Sequence, residues 1–225
     1  MKIALRWFLW LWMSGVILGA LLWAPLSQGF SGIAGNAPQS SRMVFFHVPV
    51  AVASFFAFMS AAVWSILYLW KRAPKHDHAA YAAIEVGMVF CVLATTTGAV
   101  WSKVQWGKYW NWDPRQTSIA MAILFYGAYL TLRGAIEDPE VRARLSAAYS
   151  ALGLVVAPFL FFIMPRMASF SLHPKPGGAE MDRPIALVVV ASIAGFTTLF
   201  FWLQNLRART LALGVDDLAD ELNGH

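Results

Sequence analysis

The chain has 225 residues, of which 59% are hydrophobic and only 13% are charged. About a quarter of the residues in a soluble domain are charged, so this composition excludes an ordinary soluble domain and indicates a membrane protein. The net charge of +5 does not indicate nucleic-acid binding, because the cations are scattered through short connectors and form no stripe. The single cysteine, Cys91, excludes an internal disulfide and any CxxC motif.

Six stretches have the length and apolar character of membrane-spanning helices, which need about 20 mainly apolar residues. A chain inside the bilayer must pair its own backbone groups, and nothing here alternates like a barrel strand. The predicted fold is therefore all-α, a polytopic bundle of six transmembrane helices in one domain, 1–225. The basic and apolar N-terminal stretch is interpreted as a retained first span and not as a signal peptide. The predicted spans are 7–26, 43–70, 80–101, 115–132, 145–165 and 184–206.

The distribution of Lys and Arg predicts the orientation of these spans. Ten of these cations lie on the side that holds both termini and seven on the other. The positive-inside rule therefore predicts cytoplasmic termini, with 207–225 as a cytoplasmic tail. Six spans also place the first, third and fifth loops on one face, whichever way the protein is inserted. His47 begins the second span, residues 106–117 form the third loop and His173 lies in the fifth, so we expect these three to share a face.

The third loop, "WGKYWNWDPRQT", is unusually aromatic, since four of the eleven tryptophans fall within 101–112. Trp106 and Trp110 are four residues apart and would share a face if this segment is helical. Together with Trp112 they would form an apolar surface suited to a flat, apolar ligand such as a porphyrin. The alternative is the interfacial belt of Trp and Tyr that many membrane proteins carry. Composition alone does not decide between the two.

The two histidines of this face are candidate metal ligands, because neutral imidazole binds iron, zinc and copper well. Two imidazoles without a third His, a Cys or a carboxylate motif make a poor zinc site. They do suit haem, in which the porphyrin leaves two axial positions on the iron. Taken singly, His47 could be an interfacial residue and His173 a solvated one. Their shared face with the tryptophans favours the ligand interpretation.

The end of the loop, "WDPRQ", predicts a helix start. Pro114 is favoured at a first helical position, which makes Asp113 the N-cap and Gln116 its capping-box partner. Arg115 is then held beside the tryptophans, where it could bind the propionates of a haem; lipid phosphate is the alternative partner. The "TTTG" sequence at 95–98 offers small and hydroxylated groups for close helix packing.

The loop also resembles a known signature. It fits the WGxxWxWDxRxT pattern of the tryptophan-rich haem-handling membrane proteins of cytochrome c biogenesis. The size, the six spans and one histidine on each side of the signature resemble the cytochrome c maturation protein C family, also called haem exporter protein C. The position after Arg115, commonly Leu in the family, is Gln116 here. The matching residues are Trp106, Gly107, Trp110, Trp112, Asp113, Arg115 and Thr117.

This resemblance covers essentially the whole chain and implies a bacterial inner-membrane protein whose signature loop faces the periplasm. It implies that His47 and His173 are the axial ligands of a haem b and that 106–117 is the haem platform. It further implies delivery of haem to a membrane-anchored periplasmic chaperone, maturation protein E. The ATP-binding-cassette pair, maturation proteins A and B, and a small single-span subunit, maturation protein D, would complete the complex.

The leading hypothesis is therefore a non-enzymatic scaffold that binds haem and presents it to a partner. A haem permease would need polar or ligating groups along a path through the spans. A b-type electron-transfer subunit usually places its histidines inside facing helices, whereas His173 is predicted in a loop. A purely structural anchor would leave the aromatic cluster unexplained.

Overall fold

In the computed structural model, residues 3–26, 38–173 and 182–214 are described, and all their regular elements are helical. The all-α prediction is thus confirmed for this part of the chain. The elements, in chain order, are α1 (Ile3–Leu18) continued by a π-helical segment (Gly19–Trp23), a 3-10 helix (Pro38–Met43), α2 (Val44–Lys71), α3 (Pro74–Trp106), α4 (Pro114–Gly134), α5 (Pro139–Ala151), α6 (Gly153–Pro158), a second π-helical segment (Phe159–Ile163), α7 (Met164–Met167) and α8 (Arg183–Ala212).

Five helical stretches of the described residues are long and apolar enough to cross a membrane, one fewer than the six predicted. The exception is α4, which forms a helix where the fourth span was predicted but opens with the polar run Arg115–Ser118. The predicted count of six spans therefore depends on α4. The five stretches are Arg6–Trp23, Gln39–Lys71, Pro74–Trp106, Pro139–Met167 and Arg183–Ala212.

Helix α4 nevertheless runs between the two ends of the bundle. Its N-cap, Asp113, contacts His173 at the end that we call the site end. Near its other terminus, Arg133 makes two hydrogen bonds of 2.8 and 2.7 Å to Asp77, which lies in the first turn of α3. The 21 residues of α4 cover about 31 Å at 1.5 Å per residue, close to the thickness of the hydrocarbon core.

The predicted fifth span is interrupted. The pyrrolidine ring of Pro158 removes one backbone donor and crowds the preceding turn, and a π-helical segment follows at once, Phe159–Ile163. Such π-bulges are often found at functional sites. Here the segment places Phe161 and Phe162 on the wall of the candidate site described below.

Close contacts between α2 and α3 form the centre of the bundle. A Cβ added to Gly87 would lie only 2.8 Å from the Cβ of Ala57, so glycine is needed for this approach. Small residues are the usual means by which helices associate in lipid, where no hydrophobic effect drives them together. Next to this contact, the buried rings of Phe58 and Tyr126 stack with their centroids 3.6 Å apart, which fixes α4 against α2.

Ion pairs join three helices at the opposite end of the bundle. One pair is Asp77 with Arg133, described above. In the other pair, the guanidinium of Arg207 donates to both carboxylate oxygens of Glu85, at 2.8 and 3.1 Å. Because α8 continues to Ala212, residues 207–212 of the predicted tail are helical. Residues 213 and 214 form a turn, and 215–225 lie outside the described residues.

Candidate functional site

His47 lies in the first turn of α2, and its ring packs directly against α3. The nearest neighbour is Gly98, where an added Cβ would lie 2.7 Å from Cε1 of the imidazole. The Nδ1 atom is 3.2 Å from the hydroxyl oxygen of Thr97. That hydroxyl donates its own proton to the carbonyl of Leu93, at 2.7 Å, so it accepts from the histidine. Nδ1 of His47 therefore carries the proton, and Nε2 keeps its lone pair.

His173 follows α7 and approaches the same end of the bundle from the other side. Its Nδ1 atom donates to Oδ1 of Asp113 at 2.6 Å, and its side chain is 16% exposed. The ring of Trp106 meets the imidazole edge to face, with centroids 4.9 Å apart. Burial lowers the pKa of His173, an effect that the charge of Arg115 reinforces and that Asp113 opposes. The imidazole is thus kept neutral at physiological pH, the form that binds metals.

The carboxylate of Asp113 is fully buried and accepts four hydrogen bonds. Oδ1 accepts from the backbone N–H of Arg115 at 2.9 Å as well as from His173. Oδ2 accepts from the hydroxyl of Ser171 at 2.9 Å and from the N–H of Leu172 at 2.6 Å. Burial alone would raise the pKa of Asp113, but these donors and the nearby imidazole hold it below its ordinary value. Asp113 therefore stays ionised, and its predicted role as N-cap is confirmed.

The two histidines line one cavity of about 320 Å³, within the range of small-molecule sites. We call it the cleft. Its polar end carries both imidazoles and Arg115, and its wall includes Trp110. The remainder of the cleft runs along α2 and is mostly apolar. Its main apolar lining residues are Val48, Ala51, Val52, Phe55, Phe56, Ile119, Leu160, Phe161 and Phe162.

The tryptophans of the signature have three different environments, which corrects the expectation of a shared helix face. Helix α3 ends at Trp106, because Gly107 adopts a left-handed conformation with φ 78°. Trp110 lies beyond that turn and lines the cleft, whereas Trp106 packs behind His173 and is not among the lining residues. Trp112 is 76% exposed and meets Trp110 edge to face, at 5.8 Å between centroids.

Two side-chain amides, of which Gln116 is buried, hold the loop between α3 and α4 in place. The side chain of Gln116 accepts from the N–H of Asn111 at 2.8 Å and donates to the carbonyl of Tyr109 at 3.3 Å. Asn111 in turn donates to the hydroxyl of Ser102 at 2.8 Å. The predicted capping box is therefore corrected. The side chain of Gln116 bonds to the backbone N–H of Asn111, two residues before Asp113, and not to that of Asp113 itself.

Sequence reasoning missed several residues of this site. Thr97 and Gly98 were assigned only to helix packing, although both residues of the "TTTG" sequence contact the ring of His47. Ser171 and Leu172, which bind Asp113, directly precede a candidate ligand and could have been found from that position. Phe161 and Phe162 also line the site, but nothing in the sequence distinguishes them from the other apolar residues of the same span.

Together, the fold and the site define a polytopic helical membrane protein with two imidazoles and an aromatic wall around one cleft. The sequence matches the family described as heme exporter protein C over residues 1–220. It is 34% identical to heme exporter protein C of Rhodobacter capsulatus over 203 residues, which cover 86% of this chain and 81% of the relative. Identity to the Paracoccus denitrificans protein of that name is 33%, over 75% of this chain and 72% of the relative. For the Escherichia coli K12 protein it is 27%, over 92% and 84%.

The chain therefore belongs to the heme exporter protein C family. The resemblance inferred from the tryptophan-rich signature is thus confirmed. Membership places the chain among the membrane proteins of haem transport and cytochrome c biogenesis.

Proposed function

We propose that this protein binds haem b in the cleft, between His47 and His173, and presents it at the outer face of the inner membrane. The observation that carries the proposal is that both imidazoles line one cavity while their Nδ1 atoms are engaged elsewhere. Each ring is left with Nε2 as its free ligating atom. Two neutral imidazoles are a frequent axial pair for haem iron.

The other walls of the cleft match the remaining chemistry of haem. The apolar residues along α2 and the π-helical segment would contact the hydrocarbon part of the porphyrin, with Trp110 bordering it. Arg115 is the cation among the lining residues and would bind a propionate. Trp106 would act through His173, which it contacts, and exposed Trp112 would contribute at the rim of the site.

Absorbance spectra of the purified protein test this proposal. We expect the parent to show a low-spin bis-imidazole spectrum that is lost in His47→Ala and in His173→Ala. His78→Ala is the matched control, because this histidine lies near the start of α3, at the opposite end of the bundle. A parent that stays haem-free when haem is supplied would contradict the proposal. So would a parent spectrum retained in both cleft variants.

We also propose that α4 is a sixth span, which places the site end in the periplasm and both termini in the cytoplasm. The excess of Lys and Arg on the side of the termini supports this orientation. The native Cys91 is fully buried, so single cysteines introduced elsewhere would be labelled selectively. Tyr109→Cys should react with a membrane-impermeant maleimide from the periplasmic side, and Glu137→Cys only from the cytoplasmic side. Labelling of both from one side would show that α4 does not cross the membrane.

We infer from the family resemblance that a periplasmic haem chaperone, maturation protein E, receives the haem. Maturation proteins A, B and D would form the surrounding complex. The protein would act as a scaffold and not as an enzyme, since binding and ligand exchange account for both imidazoles and for Arg115. A permease is less well supported, because the residues that line the cleft do not include the ion-paired groups of the opposite end.

A further inference from the structure

The two imidazoles of the cleft are held by chemically different partners. On the basis of the proposed haem site, we propose that Asp113 is a positioning residue that makes His173 the permanent axial ligand. His47, which only neutral groups of α3 orient among the described residues, is then the ligand that exchanges when haem leaves. The inference rests on the proposed function, and its test separates the failure of one from the failure of the other.

The hold on His173 is strong because Asp113 has no freedom to move. A carboxylate has about four lone-pair sites, and the four donors to Asp113 use all of them. Two of these donors are backbone N–H groups, those of Arg115 and Leu172, so the carboxylate is fixed to α4 and to the His173 segment at once. The histidine is bound back to the same cluster, because its own N–H donates to the hydroxyl of Ser171 at 3.2 Å. Ring rotation would break the 2.6 Å bond from Nδ1.

The backbone next to Asp113 is strained in a way that serves this cluster. Trp112 has φ 55°, a left-handed conformation that is rare for a bulky residue. It directly precedes Asp113, so the unusual turn of the chain is made where the carboxylate enters the interior. Asp113 itself is 1% exposed.

The hold on His47 is weaker in each respect. Its partners are neutral: the hydroxyl of Thr97 at 3.2 Å, the long end of the hydrogen-bond range, and the backbone carbonyl of Ala94. That hydroxyl is already engaged with the carbonyl of Leu93. Beyond this bond, the ring is confined on the side of α3 by the close contact with Gly98.

This difference predicts unequal bonds to iron. A carboxylate that accepts from Nδ1 raises the basicity of an imidazole ligand, whereas a hydroxyl does so much less. On transfer, the bond from Nε2 of His47 to iron would break, and a Lewis-basic donor of the receiving protein would form a new one. The oxidation state of the iron would not change in this step. His173 would keep its bond until the new one is made.

Cyanide serves as the exchanging ligand in the main test. Cyanide added to the ferric, haem-loaded parent should displace His47, so the adduct should have the same electron paramagnetic resonance spectrum as the cyanide adduct of His47→Gly. The proposal requires His47→Gly to retain haem when cyanide is supplied. Loss of haem from that variant, or a mismatch between the two spectra, would overturn the inference.

Asp113→Asn and Thr97→Val provide the second test, since the first removes the negative charge of the acceptor and the second removes the hydroxyl acceptor, each with little change in size. Asp113→Asn should lower haem affinity by about 10- to 100-fold and raise the reduction potential, because the anionic acceptor favours ferric iron. Thr97→Val should have the smaller effect on both. Equal effects, or a larger one for Thr97→Val, would contradict the unequal roles.

The haem-free protein supplies a readout that does not depend on cargo. Asparagine is a good N-cap, so Asp113→Asn should fold, and its thermal midpoint checks this. Nitrogen-15 labelling of the five histidines should show His173 as the Nδ1–H tautomer in the parent, and not in Asp113→Ala, which keeps no acceptor and whose fold is checked by its thermal midpoint. Ser171→Ala, which removes one donor to Asp113 but leaves the ring untouched, should keep that tautomer. The Nε2–H tautomer in the parent would refute the positioning role, whereas a parent that binds no haem would refute the proposed function.

Discussion

A methyl group added at Gly98 would test whether the position of the His47 ring matters for ligand binding. In Gly98→Ala the new carbon would lie 2.7 Å from Cε1 and 3.2 Å from Nδ1 of the imidazole. Non-bonded carbon atoms are separated by about 3.5 Å or more, so the ring must move away by about 0.8 Å. The hydrogen bond from Nδ1 to Thr97 is already 3.2 Å long, and a retreat away from α3 breaks it.

The expected result is a loss of haem affinity without loss of the fold. Losing the group that orients a metal ligand typically lowers metal affinity by about 10- to 100-fold, and we expect Gly98→Ala to fall in this range. In a helix interior, alanine is about 1 kcal/mol more favourable than glycine, which offsets part of the steric cost. The assays are haem titration, followed by absorbance, and the thermal midpoint of the haem-free protein.

Gly127→Ala is the matched control, because this glycine also lies within a helix and an added Cβ there would meet nothing within 4 Å. It should gain the same helix propensity and keep the haem affinity of the parent. If Gly98→Ala binds haem with the affinity and the spectrum of Gly127→Ala, then the contact with His47 is irrelevant to ligation and the reasoning is wrong.

Three further predictions concern the charge at the cleft, the strained turn and the opposite end of the bundle. Arg115→Ala should loosen haem in a titration while the low-spin spectrum persists, because the cation binds propionates and not iron; an affinity equal to that of the parent would refute this role. Trp112→Gly should have a higher thermal midpoint than Trp112→Ala, since a left-handed residue other than glycine costs about 1–2 kcal/mol; the reverse order would show that φ 55° carries no strain. Asp77→Asn should destabilise the haem-free protein by about 3 kcal/mol, because it leaves Arg133 without its buried partner. The double variant with Arg133→Met should regain part of this in denaturation experiments, and additive losses would show that the pair is not coupled.

The apolar runs of the sequence predicted the helices well but not their ends. The predicted third span, 80–101, covers only the middle of α3, which begins at Pro74 and ends at Trp106. Hydropathy reports the part of a helix that is apolar, whereas a helix continues through polar residues until a cap or a glycine ends it. The local start at Asp113 was predictable for the same reason, since an N-cap followed by proline is encoded within a few residues.

Contacts between distant segments account for what sequence reasoning missed. The parity of the loops sufficed to group His47 with His173, but no local pattern links Asp113 to a histidine 60 residues away. The exposure of Trp112 was equally hidden, because a left-handed tryptophan has no sequence signature. Motif matching treats the signature as one surface, yet Trp110 lines the cleft, Trp106 packs against His173 and Trp112 is exposed.

The loop between α3 and α4 and the partners of the two histidines have separate roles in the proposed binding and release of haem. The loop between α3 and α4 is fixed by Gln116, Asn111 and Ser102, whose hydrogen bonds involve no cargo. On the proposed function, the loop would therefore keep its shape before loading and after release. If His47 is the exchanging ligand, as proposed, the ease of release would depend on its neutral orienting contacts with α3. A site with two carboxylate-held histidines would bind more tightly but would transfer its haem more slowly.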